Sequence, residues 1–212
     1  MMASYGGVAA WWFSILSPKV PLVVTLQEGD EIATRKVGLV ALGWRLILSR
    51  ARLVTVISRY LGEEAKKYGY KGEIELVPNG VDVEKFEARN PRLRPTATDG
   101  QAKSEKIKEK LNLKETDTVL ITTSRLVEKN AVGDIISALQ FLPENVKLVI
   151  IGGGELESKL KQLTRELTLE DRVRFLGFIA HDELPQYLHA SDIFIRPSLS
   201  EGMGNSFIEA MA

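Results

Sequence analysis

Short apolar runs that alternate with segments of helical spacing constrain the fold of this chain most. The runs 118–123 (TVLITT) and 146–151 (VKLVII) are almost wholly apolar or β-branched, and a segment with the 3.6-residue period separates them. Strands of this kind are buried on both faces, and strands regularly separated by helices form parallel sheets. The sequence therefore predicts an α/β fold built from doubly wound, Rossmann-like parallel sheets.

The same alternation runs along the whole chain. Strands are predicted at 21–26, 53–57, 74–77, 118–123, 146–151, 173–176 and 193–196. Helices are predicted at 6–17, 36–50, 58–68, 103–111, 132–141, 155–168, 183–189 and 205–212. Ser58 is placed to cap one helix, and Pro78-Asn79-Gly80 forms a turn in which Gly80 can take a positive φ.

The segment 87–102 interrupts this pattern and divides the chain. It contains Pro91, Pro95 and Asp99-Gly100 and has no apolar period, which predicts a linker or insertion between a lobe at 1–86 and a lobe at 103–212. No strand precedes the opening helix, and the last helix still runs at Ala212. We therefore expect both lobes to be incomplete and the chain alone to be inactive.

Composition excludes several classes of function. Lysines and arginines equal aspartates and glutamates at 28 each, so no overall charge favours nucleic acid as a partner. There is no cysteine and there are only two histidines, His181 and His189, so a zinc site is not expected. The apolar opening lacks preceding basic residues and ends at Pro18, which is typical of neither an export signal nor a membrane span. A cytoplasmic protein is expected.

Two loops that directly follow predicted strands contain residues that could bind a ligand, and one of them is basic while the other is rich in glycine. Open parallel sheets bind their ligands at loops in this position. Arg125 and Lys129 follow one strand and could together hold a diphosphate, although two solvated surface cations would look the same. Gly152-Gly153-Gly154 follows the next strand and opens a helix. Its backbone, at Gly153 above all, could approach a phosphate or sugar closely, but a tight turn also explains it.

The loop after the last predicted strand combines acids with glycines. Glu201 precedes Gly202-Met203-Gly204-Asn205, and Glu209 follows within the next helix. Carboxylates accept hydrogen bonds from vicinal hydroxyls, and amides at a helix start can meet phosphate oxygens. Taken singly, the two acids would be read as a helix cap and a solvated helix residue.

Five motifs in a fixed order resemble the retaining GT-B glycosyltransferases of family four. They are Pro78-Asn79-Gly80-Val81-Asp82, Ser124-Arg125-Leu126 with Lys129, Val173-Arg174-Phe175-Leu176-Gly177, Ser191-Asp192, and Glu201-Gly202-Met203-Gly204 with Glu209. The resemblance covers the chain from about residue 21. It implies two GT-B lobes facing a cleft, with the acceptor lobe at 1–86 and the nucleotide-sugar donor lobe at 103–212.

The resemblance also implies residue roles. Arg125 and Lys129 would bind the donor diphosphate, Glu201 the sugar hydroxyls, Gly202 to Asn205 the phosphates through their amides, and Glu209 the ribose diol. Arg125, Lys129 and Glu201 would thus serve catalysis. No cofactor is implied, and the sequence lacks the paired acids that clamp a metal. Many relatives place a histidine where this chain has Gln27, so any acid-base role there would fall to Glu28 or Asp30.

The implied reaction is hexosyl transfer from a nucleoside diphosphate sugar to a hydroxyl of a glycan or glycolipid, as in cell envelope polysaccharide synthesis, with retained anomeric configuration. A non-catalytic nucleotide-sugar-binding module, or another GT-B enzyme such as a sugar-nucleotide epimerase, remains the alternative. His181 is expected to be a loop or capping residue, and His189 a packing residue.

A basic segment of the first lobe suggests contact with a membrane. Residues 32–62 contain Trp44 and no acidic residue, and they contain six basic ones: Arg35, Lys36, Arg45, Arg50, Arg52 and Arg59. An amphipathic basic helix could dock peripherally on an anionic bilayer at the inner membrane face. A buried helix with snorkelling arginines is the other explanation.

Overall fold

The computed structural model describes residues 5–27, 39–87 and 98–212, which cluster into two compact units. The first unit runs up to Gly80 and also contains Ser200–Gly204, whereas the second consists of Val81–Leu199 and Asn205–Ala212. Glu28, Asp30, Arg35, Lys36 and most of the expected linker, 88–97, lie outside the described residues.

The first unit is a three-stranded parallel sheet with helices. Its elements are α1 (Tyr5–Leu16), β1 (Leu22–Leu26), α2 (Leu39–Arg50), β2 (Ala51–Val56), α3 (Arg59–Lys67) and β3 (Glu73–Leu76), with strand order β1-β2-β3. The predicted cap is confirmed, because the Leu61 amide donates to Ser58 Oγ at 3.5 Å. The turn predicted at Pro78-Asn79-Gly80 is not observed: the segment after β3 is irregular without a turn, and Gly80 does not take a positive φ.

The second unit contains a four-stranded parallel sheet. Its elements are α4 (Val83–Glu87), α5 (Thr98–Lys110), β4 (Thr118–Thr123), a 3-10 turn (Glu128–Asn130), α6 (Val132–Ala138), a second 3-10 turn (Leu139–Phe141), β5 (Val146–Ile151), α7 (Glu157–Glu166), β6 (Val173–Gly177), α8 (Leu184–His189), β7 (Ile193–Phe194) and α9 (Asn205–Met211). The strand order is β6-β5-β4-β7.

The central strands of this sheet are covered on both faces, as their apolar sequences predict. Leu120, Leu148 and Ile150 belong to one hydrophobic cluster with α6 and α7. The alternate positions Ile121, Val149 and Ile151 belong to another cluster, with α5 and α8. Full burial of each such side chain contributes roughly 1.5–3 kcal/mol, so both layers hold the sheet in place.

Several predicted boundaries differ from the observed ones by a few residues, as at β2 (Ala51–Val56) and α7 (Glu157–Glu166), and two of the differences concern the division of the chain and the site. The helix expected from Lys103 begins at Thr98, inside the segment assigned to the linker. It includes Asp99-Gly100, a pair that usually signals a turn, because residues with good helix propensity follow directly after it. The last strand, expected at 193–196, ends at Phe194. Only Leu120 and Ile121 pair with it, and beyond it the Arg196 side chain bonds into the loop.

Candidate nucleotide-sugar site

The strand order of the second unit creates one topological switch point. From β4 the chain passes to β5 and β6 on one side, and it then returns to place β7 on the other side of β4. β4 and β7 are thus neighbours although the chain leaves β4 toward β5, and the carboxyl edge of the sheet at such a point is where open parallel sheets bind ligands. Arg125 and Lys129 follow β4, and the acid- and glycine-containing loop follows β7.

Backbone hydrogen bonds shape the loop after β4. The Arg125 carbonyl accepts from Asn130 Nδ2 at 2.6 Å and from the Val127 amide at 2.9 Å, while the Arg125 side chain is exposed. Ala131 ends the 3-10 turn with φ 50° and ψ 33°, a left-handed conformation that costs a non-glycine residue about 1–2 kcal/mol. The structure around it therefore holds this loop in one shape.

A further bond ties this loop to the loop after β7. The Leu199 amide donates to the Lys129 carbonyl at 2.8 Å. Leu199 lies two positions before Glu201 in the sequence. The segment with the two basic residues and the start of the acidic loop are thus joined within the second unit.

The triple glycine after β5 gives the β4 loop room to pack. A Cβ at Gly152 would lie 2.0 Å from the Ser124 carbonyl oxygen, and a Cβ at Gly154 would lie 2.4 Å from that of Leu126. The Leu126 amide donates to the Gly153 carbonyl at 3.0 Å. Gly153 itself has space for a side chain, since its nearest neighbour would be Glu157 Oε2 at 3.7 Å. Gly152 and Gly154 therefore have a packing role, whereas the backbone at Gly153 leaves room for a Cβ.

Arg196 braces the loop after β7, a role that sequence reasoning missed. Its Nε donates to Ser198 Oγ at 3.0 Å, and its Nη1 donates to Ser206 Oγ and to the Thr123 carbonyl. The guanidinium also lies over the Phe207 ring, 5.8 Å from its centroid. A basic residue just after a short apolar strand at the switch point was the signal available in the sequence.

The residues Glu201 to Gly204 group with the first unit. Gly202 packs on the residue that follows β1, because a Cβ there would lie 2.5 Å from the Gln27 carbonyl oxygen. Glu201 is half-buried, and the Met203 side chain is 36% exposed. The position where many relatives have a histidine therefore contacts the glycine of the acidic loop through its backbone.

Glu209 lies on α9 and contacts a histidine. Its Oε1 is 3.0 Å from His181 Nε2, and the carboxylate side chain is only 14% exposed. His181 occupies the loop before α8, as expected, but no pattern in the sequence connects it with Glu209. His189 Nε2 lies 3.1 Å from the Phe86 carbonyl oxygen.

A lysine near this pair lowers the pKa of a neighbouring carboxyl group. The Lys85 ammonium donates a hydrogen bond to Asp182 and holds the pKa of that carboxyl below its usual value. Within 5–27, 39–87 and 98–212, no three histidines or acids gather in a way that would hold a metal ion.

The predicted site residues are thus divided between the two units. In the second unit, Arg125, Lys129 and Gly153 share hydrogen-bonded loops at one sheet edge, and Asn205 and Glu209 lie on α9, which Arg196 holds through Ser206. Glu201, Gly202, Met203 and Gly204 group with the first unit.

A family model described as Glycosyl transferases group 1 matches residues 103–212, just over half of the chain. The chain belongs to this family. A second model, Glycosyltransferase Family 4, matches residues 2–85. The group 1 match covers the elements from α5 to α9, and the second match covers α1 to β3, so all of the site loops lie within family segments.

Relatives and a solved structure agree with this assignment. The chain is 32% identical over 148 residues to a Streptococcus pneumoniae alpha-monoglucosyldiacylglycerol synthase, covering 68% of this chain and 32% of that protein. It is 30% identical over 220 residues to a Mycobacterium tuberculosis GDP-mannose-dependent alpha-(1-6)-phosphatidylinositol monomannoside mannosyltransferase, covering 96% and 54%. The Anabaena HepE structure in complex with UDP-glucose superposes with a TM-score of 0.78 at 25% identity, over 97% of this chain and 54% of that one. The chain thus spans about a third to a half of these proteins, and its two parallel sheets are those of a GT-B glycosyltransferase.

Proposed function

We propose that this protein transfers a hexose from a nucleoside diphosphate sugar to a hydroxyl group of a glycan or lipid. The observation that carries the proposal is the switch point between β4 and β7, where the Leu199–Lys129 bond joins the loop of Arg125 and Lys129 to the start of the acidic loop. The two cations that follow β4 suit a diphosphate, and the carboxylates of Glu201 and Glu209 suit hydroxyls of the sugar and the ribose.

The reaction breaks the bond between the anomeric carbon and the diphosphate oxygen, and it forms a bond from that carbon to the acceptor oxygen. Negative charge grows on the departing diphosphate as the bond breaks. Arg125 and Lys129 would stabilise this charge, and Glu201 would bind the hydroxyls of the sugar as it becomes positive. The acceptor proton leaves with the diphosphate or with a nearby base.

Retention of the anomeric configuration and a lipid-linked acceptor are part of the proposal. Retention is supported by the family resemblance of the motifs. The names of the Streptococcus pneumoniae and Mycobacterium tuberculosis relatives both contain a lipid, diacylglycerol in one and phosphatidylinositol in the other. This supports a lipid-linked acceptor here. NMR of the first product formed from an α-linked donor tests retention, because an α product supports it and a β product contradicts it.

Substitution of the two glutamates separates their proposed roles. Free nucleoside diphosphate contains the ribose but not the sugar, so the variants are compared with UDP and GDP alone and with their hexose donors, in the protein from its complete reading frame. Glu209→Ala should weaken both the diphosphate and the donor by about 1.5–3 kcal/mol, as expected for a lost charge-assisted hydrogen bond. Glu201→Ala should leave diphosphate binding nearly unchanged and depress turnover.

Calorimetry with the diphosphate and kinetics with the donor make this comparison. If Glu201→Ala lost diphosphate affinity as severely as Glu209→Ala, the division of roles would be wrong, and the loop would act as one phosphate-facing unit. A wild-type protein that binds donor without releasing sugar or nucleotide would favour the non-catalytic nucleotide-sugar-binding alternative.

A further inference from the structure

Glu209 is held by a side chain that the proposed reaction does not use. His181 Nε2 lies 3.0 Å from Glu209 Oε1, and the two residues come from elements 28 positions apart in the sequence. His181 is itself fixed from its other side. Its ring meets the edge of the buried Phe86 ring at a centroid distance of 5.8 Å, and its Nδ1 lies 3.1 Å from Lys85 Nζ.

The lysine determines which ring nitrogen of His181 carries the hydrogen. An ammonium group only donates hydrogen bonds, so at 3.1 Å from Lys85 Nζ the Nδ1 atom must accept. In the neutral ring the hydrogen then resides on Nε2, which donates it to the Glu209 carboxylate. The Lys85–His181–Glu209 chain is thus directional, with each group donating to the next.

This bond fixes the carboxylate without neutralising it. A carboxylate has two oxygens with about four acceptor positions, and His181 uses one position on Oε1. Rotation of the carboxylate about its terminal bond is otherwise soft, so one fixed hydrogen bond selects an orientation. Oε2 then points in a defined direction and retains its full acceptor capacity for a ligand.

We propose that His181 is a positioning residue that orients Glu209 toward the ribose diol of the donor nucleotide. The inference rests on the proposed function, because it assigns Glu209 to the ribose. His181 contributes little to stability through burial, since its side chain is 56% exposed. Its removal should therefore alter ligand binding while leaving the fold intact.

Calorimetry with UDP and GDP, and with their 2′,3′-dideoxy forms, tests the proposal in the protein from its complete reading frame. His181→Leu should weaken the ribonucleotide that binds by about ten-fold, the order expected for one hydrogen bond to a charged group. The same variant should bind the dideoxy form as the wild type does, because that ligand offers Glu209 no diol. A merely structural role would weaken both ligands by the same factor and would overturn the proposal.

Two further variants sharpen the comparison. His181→Gln keeps an N–H near the position of Nε2 and a carbonyl that can face Lys85, so it should restore most of the ribonucleotide affinity that His181→Leu loses. Asp182→Asn removes the neighbouring partner of Lys85 but not the His181–Glu209 bond, and it should change neither affinity. A glutamine variant as weak as the leucine variant would count against the proposal.

NMR of the ligand-free protein with 15N-labelled histidine keeps the two proposals distinguishable. The Nε2–H form of His181, together with a change in its Nε2 resonance in Glu209→Gln, supports the positioning contact. The Nδ1–H form, or a resonance that Glu209→Gln leaves unchanged, overturns it. If the wild type bound neither UDP nor GDP, the proposed function would be wrong. The assignment of Glu209 to the ribose would then be wrong as well, whatever NMR shows for the His181–Glu209 contact.

Discussion

Thr122, near the carboxyl end of β4, carries a buried hydroxyl that the sheet does not satisfy. The residue is fully buried, and its Oγ1 has no hydrogen-bond partner in the part of the chain that the structure describes. A buried polar group without a partner costs roughly 1–3 kcal/mol. Thr122→Val keeps the branched shape without the hydroxyl and should raise the free energy of unfolding by about 1 kcal/mol, as measured by chemical denaturation.

Thr55 provides the matched control in the other sheet. Its Oγ1 donates to Thr25 Oγ1 at 2.8 Å, so Thr55→Val removes a satisfied hydroxyl and leaves Thr25 without this bond. The control should therefore lower the free energy of unfolding by about 1 kcal/mol. If Thr122→Val were destabilising to the same degree as Thr55→Val, the Thr122 hydroxyl would have to be bonded in solution.

The sequence predicted single residues only where a strand end determined their position. Arg125 and Lys129 could be placed at a sheet edge because the run of apolar and β-branched residues 118–123 ends directly before Ser124. The contact of His181 with Glu209 could not be predicted, since it depends on where α8 and α9 come to lie in three dimensions. For Gly152 to Gly154 the sequence predicted either a ligand-facing backbone or a tight turn, and the Ser124 and Leu126 carbonyls that require Gly152 and Gly154 are visible only in the structure.

At the scale of elements, the loops after β4 and β5 pack backbone against backbone. Gly154→Ala should lower the free energy of unfolding by about 1–3 kcal/mol, because its Cβ would overlap the rigid Leu126 backbone at 2.4–2.8 Å. Gly152→Ala should cost at least as much, since its φ of 125° adds conformational strain to a contact of 2.0 Å. Chemical denaturation of both variants measures these losses.

Gly153→Ala is the stability control for this loop. The added methyl group has ordinary contact distance to Glu157, so the change in free energy of unfolding should stay within about 0.5 kcal/mol. Equal losses at all three positions would mean that the loop is sensitive to any side chain, and that the close approach of the two backbones is not the reason for the glycines.

Element boundaries followed the sequence most closely in the middle of the second unit. The limits of β4 and β5 agree with the predicted ones because each strand is paired along its whole length, from Thr118 opposite Val146 to Thr123 opposite Ile151. The edge strand β7 is paired only through Leu120 and Ile121, so its end depends on tertiary contacts of the following loop. The chain sequence carries no local signal for such contacts.

At the scale of the molecule, the first unit presents apolar and basic side chains to solvent. On α2, Leu42 and Leu46 are 52% and 39% exposed beside exposed Arg45 and Arg50, and on α1 Trp12 and Phe13 are 56% and 54% exposed. Trp44, which the sequence placed with this basic segment, is only 4% exposed and packs near Tyr68. No helix among the described residues is long and apolar enough to cross a bilayer.

These surfaces lead to the prediction that the protein binds anionic vesicles from solution. Each basic residue near an anionic bilayer contributes about 1 kcal/mol, so Arg45→Gln combined with Arg50→Gln should weaken partitioning by about 2 kcal/mol, roughly thirty-fold. Lys106→Gln combined with Lys159→Gln removes the same charge from exposed positions of the second unit and should have little effect. Sedimentation with vesicles of anionic and of zwitterionic lipid, at low and high salt, measures the partitioning. Binding that persists on zwitterionic vesicles and at high salt would assign the attraction to the apolar side chains alone. If the protein did not bind anionic vesicles at low salt, the prediction would be wrong, and the arginines of α2 would serve only to solvate a packed helix.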